Sequence, residues 1–396
     1  MEPVGSVASG YEPVREAFLA NFETQGEVGA GVAVYVDGVA VVDLVGGIAD
    51  ASTGRAYDPK TLQLVFSTTK GLTAICTHQL VERGVLDLDT PIAEWWPEFA
   101  QEGKQRITLR WVLSHRAGLP VIDAPLTFDD LLHPERIDAA LAAQRPLWEP
   151  NSRHGYHPLT YGWLLDAVFR RAAGRSVSEH FRTEIAEPLG LDCSIGVPPE
   201  QLHRAAPVID MAKLRFSAKE VLPLLKPSAL RPIVKVLKAM RDPESTVNRA
   251  TYVNGALKPA DGSLVWNHEE LWTAAWPAAT AVTDARSLAR LYAACVGEVD
   301  GIRLLRADTV DRARAEMSYG PDATSVFPSR FGLGFHLHHE LGRLLGPASF
   351  GHGGMGGSLA FADPDARVGF GYVMNQMKID SKRSGALVDA LRSCVG

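Results

Sequence analysis

Leu64-Val65-Phe66-Ser67-Thr68-Thr69-Lys70-Gly71-Leu72-Thr73-Ala74 is the stretch on which the reading of this 396-residue chain turns. Its first three residues form a short apolar, strand-like run. They lead into a Ser-x-x-Lys that opens a helix. Leu72, Ile75, Cys76, Gln79 and Leu80 carry that helix over 68–82, and Gly84 stops it. Residues three apart share a helix face, so the Lys70 amine comes within reach of the Ser67 hydroxyl. A serine alcohol is a poor nucleophile until a neighbouring base takes its proton. A partly buried lysine can be neutral and act as that base. The N–H groups of the helix N-terminus also point toward a developing oxyanion. The same letters read equally as a plain N-cap and a surface lysine, so the surroundings decide.

Upstream, residues 11–25 predict a helix with Val14, Ala17, Phe18 and Phe22 at helical spacing. Gly31–Val36 and Val39–Val45 are two β-branched runs separated by Asp37-Gly38, a strong hairpin signal. Near the other end, Phe331–His338, Ser358–Ala362 and Arg367–Met374 predict strands, and Asp380–Val395 a helix. Between these ends the periodicity is helical, at 107–114, 135–143, 159–172, 177–187 and 284–296. The expectation is an α+β fold. One antiparallel sheet is built from both chain ends and flanked by helices, and a mainly helical domain is inserted between them. The sheet domain is expected at 1–66 plus 275–396, and the helical domain at 67–274.

The composition is that of a folded globular protein, 46% hydrophobic and 22% charged, with a net charge of −6. No run of apolar residues is long enough to predict a transmembrane helix, and stable membrane insertion is not expected. Met1–Tyr11 lacks the basic and apolar regions of a secretory signal. Cys76, Cys193, Cys295 and Cys394 lie far apart, which argues against a disulfide framework and against a cysteine metal site. The expected setting is cytoplasmic, and the acidic balance gives no support for nucleic-acid binding. His336 and His338 would share a strand face with His339 nearby, but two ligands make a poor metal site, and no metal or cofactor is expected.

One segment has its own character. Met211–Arg241 carries eight basic residues against the single acid Glu220, interleaved with aliphatics and broken by Pro223, Pro227 and Pro232. It predicts an inserted flap, within about 205–260, that caps the cleft.

Three further stretches extend the pattern. They are Gln79–Pro91 (QLVERGVLDLDTP), Thr108–Leu119 (TLRWVLSHRAGL) and Trp148–Tyr156 (WEPNSRHGY), the last followed by a helix from Leu159. With Ser67–Ala74 they resemble the serine β-lactamase-like hydrolase family. That family holds class C β-lactamases, D-alanyl-D-alanine carboxypeptidases and family VIII carboxylesterases, and the last are the most similar in character. The resemblance runs over nearly the whole chain apart from the flap, and implies that Ser67 is the nucleophile and Lys70 its partner. The family's second motif is Tyr-x-Asn or Tyr-x-Ser. Tyr252-Val253-Asn254 fits the letters, whereas Tyr156-His157-Pro158, 89 positions after Ser67, fits the context. Tyr156 is therefore taken as the catalytic tyrosine. A phenol beside a lysine ammonium can have its pKa lowered enough to act as a base. Pro158 cannot supply the polar contact of the family's Asn, which leaves His157 or Asn151 for it.

The family's Lys-Thr-Gly is matched in place by His352-Gly353-Gly354. The resemblance puts His352, Gly353 and Gly354 against the substrate. It puts the N–H groups of Ser67 and Met355 in the oxyanion hole. His352 is only partly charged at neutral pH, so the site is poor at clamping a substrate carboxylate. The implied activity is hydrolysis of short-chain carboxylic esters through an acyl-enzyme on Ser67, without cofactor. β-Lactamase, D-alanyl-D-alanine carboxypeptidase and acyltransferase activity remain alternatives, as does an inactive binding protein. The expected partner is a small-molecule ester, and a homo-oligomer stays open. No Gly-x-Ser-x-Gly elbow is present, which disfavours an α/β-hydrolase. Ser114-His115 matches the family's Ser-His-x-x-Gly-Leu turn and is expected to be scaffold.

Overall fold

Asp37 (φ 51°) and Gly38 (φ 78°) both take the left-handed conformation that a tight two-residue hairpin turn requires. They join β2 (Gly29–Val36) to β3 (Val39–Asp50), the hairpin expected from the sequence. The computed structural model describes residues 2–209, 238–239, 242–259, 261–325 and 327–395. In it β1 (Val4–Val7) pairs with the outer side of β3, and the short β4 (Arg55–Ala56) pairs with the end of β3. On the other side β2 pairs with β14 (Val368–Met374), the last strand of the chain, from Val368↔Val36 to Met374↔Ala30. The sheet continues antiparallel through β13 (Leu359–Asp363), β12 (Phe350–Gly353), β11 (His336–Leu337), β10 (Ser329–Phe331) and β9 (Ser318–Gly320). Both chain ends therefore build one sheet, as expected.

Alternation along the central strands sorts side chains to two faces. Val32, Val34, Phe361 and Phe370 pack with Val14 and Phe18 of helix Glu12–Thr24 and with Leu387, Val388 and Leu391 of helix Lys382–Val395. Ala33 and Tyr35 face the larger core, which includes helix Ala285–Val296 and the helical region. That region holds helices Thr69–Glu82, Leu109–Leu113, Pro134–Ala143, Thr160–Ala172 and Val177–Phe181. Among the described residues, no helix is long and apolar enough to cross a membrane, and the four cysteines are free.

Three features differ from the sequence reading. Phe331–His338 is not one strand but a hairpin, with Phe331 paired to His336 across Gly332-Leu333-Gly334-Phe335. Gly334 sits at φ 91°, and a Cβ there would lie 2.5 Å from that of Ala74, so the turn needs glycine. The region 177–187 is not one regular helix, because Arg182–Ala186 forms a π turn before Glu187–Leu189. A second, four-stranded sheet was not foreseen. It runs β6 (Cys193–Ile195), β8 (Ala281–Thr283), β5 (Leu62–Leu64) and β7 (Ala205–Ala206). Its strands are two or three residues long, too short for any periodicity to show. The basic segment Met211–Arg241 lies outside the described residues except for Lys238 and Ala239.

The helix Ala285–Val296 lies so close to β14 that a Cβ on Gly369 would come 2.2 Å from the Ala289 oxygen and 2.4 Å from the Ala293 nitrogen. Gly369→Ala should therefore push helix and sheet apart and destabilise the fold by about 1–3 kcal/mol. The check is the denaturation midpoint of a variant whose circular dichroism is otherwise native.

Candidate active site

Ser67 stands just past β5, in a single 3₁₀ turn (Phe66–Thr68) that leads into helix Thr69–Glu82. Phe66 holds a left-handed backbone (φ 48°), unusual for a bulky residue and a local store of strain. Its ring is buried and meets Trp266 edge-on at 5.2 Å, which keeps it there. The turn is tied down from two sides. Val65 N–H donates to Ala281 O at 3.0 Å, and Thr69 Oγ1 donates to Phe66 O at 2.5 Å while accepting Ala281 N–H at 3.0 Å. From the large sheet, Ser358 Oγ donates to Val65 O at 2.9 Å. Its proton thus committed, Ser358 accepts from Thr68 Oγ1 at 3.1 Å.

Lys70 is completely buried on the first turn of the helix. Its Nζ lies 3.3 Å from Ser67 Oγ, 2.6 Å from Pro158 O and 3.0 Å from Ala278 O. Among the described residues it has no salt bridge, and burial holds its pKa well below the ordinary lysine value. A neutral amine has two N–H bonds and one lone pair. The two carbonyls take the N–H bonds, and the lone pair is left for the Ser67 hydroxyl proton. Gly162 makes this possible: a Cβ there would sit 2.5 Å from Ala278 N, so only glycine lets helix Thr160–Ala172 approach the segment carrying that carbonyl.

The Tyr156 ring centroid is 4.8 Å from Lys70 Nζ, and the Ser67 side chain is close enough to its phenol to lower its pKa. Burial pushes its pKa up, with the Asp322 charge adding to the rise, against the lowering expected from a lysine ammonium. Lys70 is itself driven neutral, so the cation assumed in that expectation is missing. Tyr252 stands elsewhere. Its ring lies 4.8 Å from Lys258 Nζ, and Asn254 is bonded to Ile122 O and Arg249.

Neither residue offered in place of the family's Asn is bonded to Lys70. His157 is fully buried, with Nδ1–H donating to Gly155 O at 2.6 Å and Nε2 accepting Leu119 N–H at 3.0 Å. Its pKa is pushed down to about 4 by burial, and it holds the backbone that leads to Pro158. Asn151 is exposed and accepts from Arg116 Nε at 2.6 Å. The lysine contact comes instead from the Pro158 carbonyl, which proline retains while lacking the N–H. His115 is scaffold as expected: it takes φ 59° and its Nδ1 accepts the His157 N–H at 3.2 Å.

His352, on β12, is also buried rather than presented to a substrate. Its ring stacks on His336 at 3.9 Å, lies 6.1 Å from the Tyr156 ring, and donates from Nδ1 to Gly353 O at 2.7 Å. Burial holds its pKa well below the usual imidazole range, so it is neutral. Gly353 and Gly354 are half-buried at the end of β12. A Cβ on Gly354 would lie 2.2 Å from Val65 O, so glycine allows this turn to lie against the Ser67 segment. Met355 follows and lines the same cleft as Ser67, Tyr156 and Pro158.

The Beta-lactamase family model matches residues 14–392. The chain belongs to the Beta-lactamase family. It is 34% identical over 370 residues to Esterase/beta-lactamase LipL of Mycobacterium tuberculosis, covering 92% of this chain and 81% of that protein. It is 31% identical over 175 residues to Esterase EstB of Burkholderia gladioli, covering 39% and 44%. Among solved structures, a family VIII carboxylesterase superposes with a TM-score of 0.84 at 32% identity, covering 100% of both chains. EstA of Arthrobacter nitroguajacolicus Rue61a gives 0.84 at 30%, covering 100% and 99%. This member of the family is thus a hydrolase with esterase-named relatives.

Sequence reading missed two parts of this Beta-lactamase-family site. Asp322 receives the Tyr156 N–H on both carboxylate oxygens (3.0 and 3.1 Å), Thr324 N–H (2.8 Å), Ser325 N–H (2.7 Å) and the Ser329 hydroxyl (2.7 Å). Asp-x-Thr-Ser is a local turn signal, but nothing in it points to a tyrosine 166 positions earlier. The other part is the apolar wall of Phe66, Leu159 and Trp266, which lines a cavity of about 170 Å³ together with Val247 and Thr251 of helix Thr246–Tyr252, inside the segment expected to cap the cleft.

Because Lys70 is held neutral by burial, phosphonylation of Ser67 by a fluorophosphonate should already be at its plateau well below pH 10.5. It should fall as acid protonates the amine. A rate that keeps rising to pH 10.5 would mean an ordinary charged lysine.

Proposed function

We propose that this chain is a serine carboxylesterase acting on uncharged, short-chain esters through an acyl-enzyme on Ser67. The observation that carries the reading is the buried Lys70 amine with both N–H bonds on backbone carbonyls and its lone pair free for Ser67. In the resting site both Lys70 and Tyr156 are uncharged, since burial disfavours the charged form of each. Ser67 gives its proton to Lys70 as Oγ attacks the ester carbon. The carbonyl oxygen becomes an oxyanion, held by the N–H groups of Ser67 and Met355. When the tetrahedral adduct collapses, the C–O bond to the alcohol breaks, and Tyr156 supplies the proton the alkoxide needs. The acyl-enzyme then faces a Lys70 ammonium and a Tyr156 phenolate, each stabilising the other. Water gives a proton to Tyr156 while attacking the acyl carbon, and Lys70 returns its proton to the departing Ser67 oxygen. Ester and water become acid and alcohol, and both groups regain their starting state.

Specificity for neutral esters follows from what stands at the position of the family's Lys-Thr-Gly. His352 is neutral and buried, and the cleft wall of Phe66, Leu159, Val247 and Trp266 is apolar. A substrate carboxylate finds no compensating cation in such a wall. The four unpaired cysteines support a cytoplasmic setting.

The test is a panel of p-nitrophenyl esters of rising chain length run beside nitrocefin, with Ser67→Ala as control. The butyrate ester should have the higher kcat/KM, and Ser67→Ala should lose several orders of magnitude, as removal of a nucleophile does. Nitrocefin turnover equal to or above that of the ester would favour a β-lactamase instead. Added short alcohols that divert the acyl group from water would favour an acyltransferase. No turnover and no fluorophosphonate adduct would leave an inactive binding protein.

Tyr156→Phe should lower kcat about 10²–10⁴-fold, the range for loss of a general acid–base group. Tyr252→Phe should stay near wild type in the same assay.

A further inference from the structure

The turn Gly354-Met355-Gly356-Gly357 carries the Met355 N–H, yet it has little rigidity of its own. Gly356 and Gly357 lie at φ 88° and 125°, and glycine leaves the backbone free to leave such conformations. Within the turn only Gly354 N–H to Ser358 O (2.8 Å) and Gly357 N–H to Gly354 O (3.2 Å) bind it together. The remaining restraint comes from the end of the chain. Gly356 O accepts from Lys378 N–H at 3.0 Å and from Arg383 Nη2 at 3.1 Å. Arg383, in the first turn of helix Lys382–Val395, is only 2% exposed and uses the same Nη2 to reach Gln376 O at 2.6 Å. Its Nη1 bonds to Oε1 of Glu27 at 2.6 Å, a carboxylate buried ahead of β2, and Tyr372 donates to the other oxygen of Glu27.

A buried ion pair is a poor stabiliser, because desolvation offsets most of the attraction, and an apolar pair of similar size often does as well. The fork of the guanidinium does what an apolar side chain cannot: it holds two backbone carbonyls and a carboxylate at fixed directions. We propose that Arg383, oriented by Glu27, is a positioning residue that holds the Met355 N–H where an oxyanion forms. This rests on the esterase reading above, in which Met355 is an oxyanion donor.

Preorganised donors contribute most of their effect in the transition state. Loosening the turn should therefore lower kcat and leave KM nearly unchanged. Arg383→Met should reduce kcat about 10- to 100-fold, less than or similar to outright loss of one oxyanion donor. Affinity for an alkylboronic acid, which forms a tetrahedral adduct on Ser67, should fall in parallel. Amide hydrogen exchange over 354–358 should quicken, a readout that needs no activity.

Arg383→Met alone leaves Glu27 buried without its partner and risks failing to fold. The double variant Glu27→Gln/Arg383→Met removes both charges and keeps the test open, as does the conservative Arg383→Lys. If the double variant is folded and shows slow kcat and faster exchange of the turn, the positioning role stands. If it is folded with wild-type kcat, boronate affinity and turn exchange, the ion pair is only structural and the proposal fails. Failure of the esterase reading looks different. In that case the wild-type protein, or Ser67→Ala, would already contradict it with esters and fluorophosphonate, whatever Arg383 does.

Discussion

Burial with no counter-charge among the described residues favours the neutral form of Lys70, and the rest of the site is arranged around that constraint. Two carbonyls from separate segments, Pro158 and Ala278, accept its N–H bonds. Each segment is in turn fixed by its neighbours. His157 is bonded to the backbone at Gly155 and Leu119, and Thr73 Oγ1 donates to Pro277 O at 2.5 Å. Gly162 allows the two segments to meet. A lysine that kept its proton would be stabilised by an acidic partner, and the described surroundings offer aromatic and imidazole rings instead.

Those rings share the same electrostatic state. His115, His157, His336 and His352 all have pKa values depressed by burial, and Tyr156 has one raised by it. Among the described residues, the site around Ser67 is therefore nearly free of charge, apart from Asp322 behind Tyr156. In the proposed cycle, charge appears only as the reaction proceeds, as an oxyanion and then as a lysine–tyrosine pair. Low surrounding polarity strengthens each such interaction, provided the donors are already in place. That makes the backbone geometry at Phe66 and at Gly354–Gly357 as important as the side chains.

Topology supplies that geometry from distant parts of the chain. The Ser67 turn is bonded to β8 and to Ser358, more than 200 residues away in both cases. Asp322 fixes Tyr156 from a loop of the late sheet strands, and Arg383 with Glu27 fixes the Met355 turn from the two chain ends. The large sheet built from both ends, with the small sheet that holds β5 and β8, brings these distant segments together. It also explains why no single contiguous segment contains a complete site.

What the sequence by itself determined is the part governed by local periodicity and short motifs. Helix 69–82, the Asp37-Gly38 hairpin, the sheet from both ends and the pairing of Ser67 with Lys70 all follow from spacing, because neighbours at i+2, i+3 or i+4 meet wherever the chain folds. The choice of Tyr156 over Tyr252 came from its context before a helix. The rest depends on contacts between residues far apart in the chain. Nothing in Tyr156-His157-Pro158 says that a proline carbonyl takes the asparagine's place, or that His157 and His352 turn inward. The tertiary structure alone decided that burial favours the neutral form of Lys70 and of Tyr156, since desolvation is a property of the surrounding packing and not of a residue's neighbours in sequence.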